Sequence, residues 1–140
     1  MDWINNYLNK PWVAYARGPH AYDCWGLVIS VLKNHFNSQP IDSHDEVTTD
    51  NREEITQAFY DEIRAGRWQQ SPSAKHGSVV VCWIEQDGQL LVRHVGLYLS
   101  CDGGGVLHSR DFAGVRFDHL ATLQRKFPKI EFYEQSSLDH

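Results

Sequence analysis

Two apolar segments separated by an Asp-Gly pair place the strongest constraint on how this 140-residue chain can fold. The first runs from Ser78 to Ile84, and the second runs from Leu90 to Ser100, with Asp87-Gly88 between them. Both are rich in β-branched residues, which favour strands, and Asp-Gly is a strong signal for a tight hairpin turn. The region therefore predicts two adjacent antiparallel strands.

The strand pattern continues to the end of the chain. The glycine-rich segment Cys101-Asp-Gly-Gly-Gly predicts a tight turn, and a short helix capped by Asp118 is expected before Pro128. The remaining predicted elements are strands over residues 106–110, 115–117 and 129–133 and the short helix over 119–126.

Helical spacing marks the N-terminal half instead. An apolar stripe follows Asp23 and predicts a helix that begins at Asp23 or Cys24. Asp50 and Glu53 form a capping-box pattern for a second helix, which Gly66 is well placed to end. Helices first and an antiparallel sheet afterwards indicate an α+β fold, and the length suits one domain over residues 1–140.

Charge and composition exclude several classes of function. The chain has 13 Lys and Arg against 18 Asp and Glu, a formal charge of −5, with no basic cluster. We therefore expect no nucleic-acid partner and no binding to an anionic membrane surface. No apolar run reaches the roughly 18 residues of a spanning helix, and the first residues predict no signal peptide. Three widely spaced cysteines, an odd number, are not expected to form a disulfide framework, which favours a reducing compartment.

Cys24 is the residue whose chemistry most needs explaining. At the start of a helix, unpaired N–H groups and the helix dipole favour an anion, so a thiolate is stabilised there. Such a cysteine becomes a nucleophile when a base lies within reach. Of the eight histidines, His94 and His108 are the two that fall inside predicted strands.

A register argument brings these two histidines together. If Leu99 pairs with Gly103 around a three-residue loop, His94 lies directly opposite His108, with Cβ atoms about 4.5–5.5 Å apart. A register shifted by two would leave them diagonal but still on one face. Gly96, on the same face as His94, is expected to leave room for the helix that begins at Cys24.

This arrangement predicts acyl transfer through a thioester. Cys24 would be the nucleophile, His94 its base, and His108 the group that fixes the orientation of His94. From the residues alone, two alternatives stay open. Cys24 could be a buried packing residue, or it could bind zinc together with His94 and His108. Cys82 and Cys101 are interpreted as structural.

Three motifs, read together, resemble a known family. Asp-Cys-Trp-Gly-Leu-Val at 23–28, His-Val-Gly-Leu-Tyr-Leu at 94–99 and Val-Leu-His-Ser at 106–109 are similar, in order and spacing, to the NlpC family of cell-wall cysteine peptidases, also called the NlpC and P-sixty group. The similarity extends from Pro11 to about Tyr133. The tryptophan after the cysteine and the expected absence of a signal peptide most resemble the tail-assembly peptidases of tailed phages and prophages.

The resemblance implies a papain-like fold and cleavage of peptidoglycan stem peptides, typically between D-γ-glutamate and diaminopimelate or lysine. Cys24 matches the nucleophile, His94 the base and His108 the polar third member. Asp23 matches the aspartate before the cysteine, which we interpret as a helix cap. No cofactor or metal is implied.

The oxyanion donor departs from the family pattern. Trp12 stands where the family commonly has a tyrosine, and Tyr15 and Tyr22 lie nearby. We expect Trp12 or Tyr15 to donate to the oxyanion, beside the backbone N–H of Cys24, and keep Tyr22 as a further candidate.

Two other roles fit the same resemblance. A structural tail protein would keep the fold without catalysis, and a toxin-like amidase would direct the same chemistry at neighbouring bacteria. In the phage setting, we expect other tail proteins as partners. We also expect synthesis in the cytoplasm, followed by association with the virion tail or delivery to the cell wall.

Overall fold

A six-stranded antiparallel sheet dominates the computed structural model, which describes residues 2–47 and 51–136. The strands lie in the order β1-β6-β2-β3-β4-β5. Their bounds are β1 (Trp68–Ser71), β2 (Val79–Gln86), β3 (Gln89–Leu99), β4 (Gly105–Arg110), β5 (Gly114–Asp118) and β6 (Lys129–Gln135). Five of these strands were predicted. No strand pattern predicted β1, which is short, mostly polar and at the sheet edge.

The helices are α1 (Cys24–His35), α2 (Arg52–Arg64) and α3 (Leu120–Lys126), with 3₁₀ turns at Asp2–Asn6 and Cys101–Gly103. Helices combined with an antiparallel sheet confirm the α+β class. Within residues 2–47 and 51–136, no helix is long and apolar enough to cross a membrane.

The hairpin between β2 and β3 forms as predicted. Gln86 pairs with Gln89, so Asp87 and Gly88 make the whole turn. Both have positive φ, 52° and 81°, as a type I′ turn requires. The Asp-Gly pair therefore fixes the pairing of the two longest strands.

The turn between β3 and β4 is longer than expected. Leu99 pairs with Gly105, not with Gly103, because residues 100–104 form a loop that contains a 3₁₀ turn. The predicted direct opposition of His94 and His108 is therefore wrong. The register is shifted by two residues, which leaves the histidines diagonal on one face.

The two faces of the sheet carry different helices. Alternate residues of β2 separate accordingly, with Val79 and Val81 in the cluster that contains α1, and Val80 and Cys82 in the cluster with Leu123 of α3. α1 packs against β3 and β4, and α2 packs mainly against β3.

Gly96 does not have the expected role. A Cβ atom there would lie 2.6 Å from Val106 Cγ1 and 3.0 Å from His108 Cβ. The glycine therefore makes room for β4, whereas α1 packs with Leu97 and Leu99 of the opposite face. The expectation that Gly96 receives the Cys24 helix is wrong.

One of the three predicted helix caps is confirmed. Asp23 caps α1, and its carboxylate accepts from the Gly26 N–H at 2.7 Å. Asn51 caps α2 by accepting from the Glu54 N–H, whereas the predicted cap Asp50 lies outside the described residues. The cap predicted for α3 is wrong, because the Asp118 side chain bonds to His108 instead.

The close packing at Gly26 leads us to predict that a larger residue there destabilises the fold. A Cβ atom there would lie 2.2 Å from the Ala16 carbonyl oxygen, a backbone atom that cannot turn away. We expect Gly26→Ala to lower the free energy of unfolding by about 1–3 kcal/mol through overpacking, measured by urea denaturation. Lys33→Ala, at an exposed position of the same helix, is the control. Parental stability of Gly26→Ala would contradict the packing described.

Candidate active site

A chain of three hydrogen-bonded side chains joins β3, β4 and β5. His94 Nε2 lies 2.7 Å from His108 Nδ1, and His108 Nε2 lies 2.7 Å from Asp118 Oδ2. Both imidazoles are buried, while about a third of the Asp118 side chain is exposed. The structure thus brings together the two predicted histidines and adds an aspartate that sequence reasoning had assigned to a helix cap.

The position of Asp118 explains why it was missed. Asp118 ends β5, two residues before Leu120 starts α3, and an aspartate just before a helix predicts a cap. The register of β4 with β5 pairs Asp118 with Val106, two residues from His108. On adjacent strands, side chains at such a diagonal position can contact each other. The pairing of β4 with β5 was therefore the signal that could have indicated a contact between Asp118 and His108.

The hydrogen bonds define which nitrogens carry protons. A carboxylate only accepts, so His108 donates its Nε2–H to Asp118. Neutral His108 then has an accepting Nδ1, to which His94 donates its Nε2–H. The Nδ1 of neutral His94 is left without a proton, which is the form a general base requires.

Burial keeps both rings neutral. The pKa of His94 lies well below its ordinary value of 6.5, first because the ring is desolvated and then because of nearby positive charges. The pKa of His108 is also lowered, mainly by burial, and the Asp118 carboxylate opposes that effect. His94 is therefore unprotonated at neutral pH.

The histidines line a cavity of about 110 Å³ between the sheet and α3. Leu123 and Phe127 supply an apolar wall, and the Phe127 ring stacks nearly parallel to the His94 ring. Trp12, one of the three predicted oxyanion residues, is part of the lining.

The pairing of β3 with β4 ends close to the histidines. The last pair is Leu97 with Leu107, although both strands continue beyond it. In the unpaired part of β4, Ser109 Oγ donates to the carbonyl of Tyr22 at 2.6 Å. This bond ties β4 to the segment that leads into α1.

Cys24 begins α1 and has no exposed surface. Its thiol lies close enough to Cys82 to raise the pKa of that thiol further, after the larger effect of burial. Cys82 is the cross-strand partner of His94. A substrate can reach the Cys24 sulfur only when neighbouring side chains move.

Asp23 and Arg17 fix the start of α1. Asp23 is fully buried, and burial raises the pKa of its carboxyl, while the Gly26 N–H and the Arg17 guanidinium act in the opposite direction. Arg17 donates to Asp23 at 2.7 Å and also to the carbonyls of Ser43 and His44. No sequence motif indicated this role for Arg17.

The other two predicted oxyanion residues do not line the histidine cavity. Tyr22 is buried, and its ring packs against Tyr7 and Gly18. Tyr15 is half exposed, with a left-handed φ of 67°. Of the three, Trp12 alone lines the cavity.

The bonds of His108 disfavour the zinc alternative, because both of its ring nitrogens are already used. In the described part of the chain, a group with metal-binding geometry is Asp42, His44 and Glu62, whose ligand atoms lie within 4.8 Å of one another. Glu62 already accepts from Arg67 and Trp68, which explains its burial without a metal.

Comparisons with protein-family models, with curated proteins and with solved structures found no match for this chain.

The lowered histidine pKa values predict a pH-dependent stability. Below pH 6.5 the unfolded chain binds a proton at His94 that the folded chain does not, so the free energy of unfolding falls by up to about 1.4 kcal/mol per pH unit. We expect His94→Gln to lose this contribution, so that its stability falls less steeply between pH 6.5 and 5.

Urea denaturation at several pH values measures the slope, with His20→Gln, at an exposed loop position, as the control. An equal slope for parent and His94→Gln would mean that His94 does not stay neutral in the folded protein.

Proposed function

We propose that this chain is a cysteine peptidase that hydrolyses peptidoglycan stem peptides through Cys24, His94 and His108. The observation that carries the proposal is the Asp118–His108–His94 hydrogen-bond chain, which leaves an unprotonated imidazole nitrogen on His94. The proposal is also supported by the bond from Ser109 of β4 to the Tyr22 carbonyl, which ties the strand of His108 to the segment that leads into Cys24, the first residue of α1.

The chemistry follows from these protonation states. His94 Nδ1 takes the proton of the Cys24 thiol, and the thiolate attacks the peptide carbonyl. The imidazolium of His94 then protonates the leaving amine, and a thioester remains on Cys24. Water attacks the thioester with His94 as base, which releases the acid and restores the thiol.

His108 and Asp118 act through His94. When His94 carries a proton, its Nε2–H still donates to the neutral His108, and the Asp118 carboxylate stabilises the positive charge along the chain. Trp12 lines the same cavity, and its indole N–H is our candidate donor to the oxyanion.

The substrate class rests on the sequence motifs. They resemble the NlpC family, so we propose a papain-like fold, the D-γ-glutamyl bond to diaminopimelate or lysine as the scissile bond, and a phage or prophage tail as the setting. The α+β architecture, with α1 packed on an antiparallel sheet, is compatible with that fold.

One observation favours a second candidate, a structural tail-assembly protein without catalysis. Cys24 is fully buried, and a packing role for a free cysteine requires nothing more. The intact hydrogen-bond chain favours the enzyme, because a packing role gives no reason for two desolvated imidazoles.

Removing the nucleophile or the base tests the enzyme directly. We expect Cys24→Ala to release no stem-peptide fragments from purified peptidoglycan, and His94→Ala to lower the rate by about 10²–10⁴-fold, measured by mass spectrometry of the products. Cys101→Ala, in the loop between β3 and β4, is the matched control and should keep parental activity. Equal cleavage by Cys24→Ala would refute the assignment of the nucleophile.

Asp118→Asn tests whether Asp118 supports His94 through the hydrogen bonds of His108. The amide oxygen can still accept from His108, but the charge is lost, so we expect activity to fall by about 10–100-fold, as for other groups that orient a functional imidazole. Because Asp118 raises the pKa of His108, the acidic limb of the pH–rate profile should move to lower pH.

Asp118→Glu, which keeps the charge, should recover part of the rate. A parental rate and pH profile for Asp118→Asn would show that Asp118 does not support the base.

A further inference from the structure

The cavity beside the histidines carries an excess of positive charge in an acidic chain. Three cations line it, against two carboxylates, and one of these carboxylates already accepts from His108. The other carboxylate, on Asp111, lies 3.7 Å from one of the cations. The lining cations are Arg93, Arg110 and Lys126.

Two of these cations lack a counter-charge. Arg93 is the partner of Asp111, whereas Arg110 and Lys126 form no ion pair with any carboxylate of the described residues. Arg110 is partly buried at the end of β4, two residues after His108. A partly desolvated guanidinium without an anion is costly, and a carboxylate is the group that its geometry matches best.

Until a substrate anion binds, the same cations disfavour a positive charge on the two histidines. Arg110 helps to lower the pKa of both histidines, and Lys126 contributes at His108. Protonation of His94 during the reaction adds a further positive charge nearby. An anion bound at Arg110 would reduce this repulsion at the step where His94 becomes an imidazolium.

We propose that this cavity binds a carboxylate carried by the leaving-group side of the peptide substrate, with Arg110 and Lys126 as its partners. This inference rests on the proposed function. His94 must protonate the leaving amine, so the residue that carries this amine lies beside His94 and faces the same cavity.

The shape of the cavity agrees with a small, amphipathic group. About 110 Å³ accommodates part of one amino acid and not a macromolecule. Leu123 and Phe127 can contact the aliphatic part of a side chain, while Arg110 and Lys126 hold the charged end. The net charge of −5 disfavours polyanions such as nucleic acid.

Two synthetic stem peptides test the inference. They share the γ-glutamyl bond and differ in one group, a carboxylate or a carboxamide on the residue that carries the leaving amine. We expect kcat/KM to be at least about tenfold higher for the carboxylate peptide. Arg110→Gln should bring the ratio of the two values close to one, mainly by raising KM for the carboxylate peptide.

Arg116→Gln is the matched control. Arg116 is an exposed arginine of β5 that donates to Asn9 and does not line the cavity, so this variant should keep the parental ratio. A parental ratio near one, or an unchanged ratio in Arg110→Gln, would overturn the carboxylate site.

A binding experiment tests the carboxylate site separately from the proposed peptidase activity. The Cys24→Ala protein is titrated with free diaminopimelate and with its amide, and chemical-shift changes at the Arg110 and Lys126 side chains are followed by NMR. Preferential binding of the free acid supports the site even if the parent cleaves neither peptide, an outcome that would count against the peptidase alone. Equal or no binding of both compounds overturns the carboxylate site.

Discussion

The hydrogen bond between His94 and His108 is the interaction on which the candidate site depends. It joins two buried imidazoles on neighbouring strands, beyond the point where the backbone ladder of β3 and β4 ends. Neither ring has much water to replace a lost partner, so the pair holds one geometry. Asp118 completes the chain at its far end and determines which nitrogen of each ring carries the proton.

A second buried polar group positions the helix that bears Cys24. Asp23 is removed from water and is compensated by the Gly26 N–H and by Arg17. Through its bonds to the carbonyls of residues 43 and 44, Arg17 ties this cap to a segment far along the chain. Loss of one partner would leave a charge buried without compensation, which is costly. The location of Cys24 is thus fixed by electrostatics as well as by apolar packing.

Local and global charge have opposite signs in this protein. The chain is acidic, yet the cavity that His94 and His108 line has more cations than carboxylates. Such a cavity selects a small anion and disfavours large ones, because an extended polyanion would also meet the acidic surface. Burial is the main reason that the pKa of His94 is lowered, and Arg93 and Arg110 of this cavity act in the same direction.

The sequence by itself determined the elements whose cause is local. The Asp-Gly pair required two positive φ angles and so specified the β2–β3 hairpin, and Asp23 capped the helix that begins at Cys24. Alternation along the strands placed His94 and His108 on one face even though the loop length was misjudged. The family and the reaction stay predictions from the motifs.

Only the tertiary structure decided the side-chain partners and packing roles that depend on residues distant in sequence. Asp118 is one example, because its side chain could cap α3 locally but bonds instead to a histidine on the adjacent strand. Gly96 receives β4 and not α1, and Arg17 reaches a loop that no local pattern connects to it. A side chain bonds to the strongest partner that lies close enough to it. Which partners lie close enough depends on how strands and loops pack, and the spacing of residues along the chain does not show that packing.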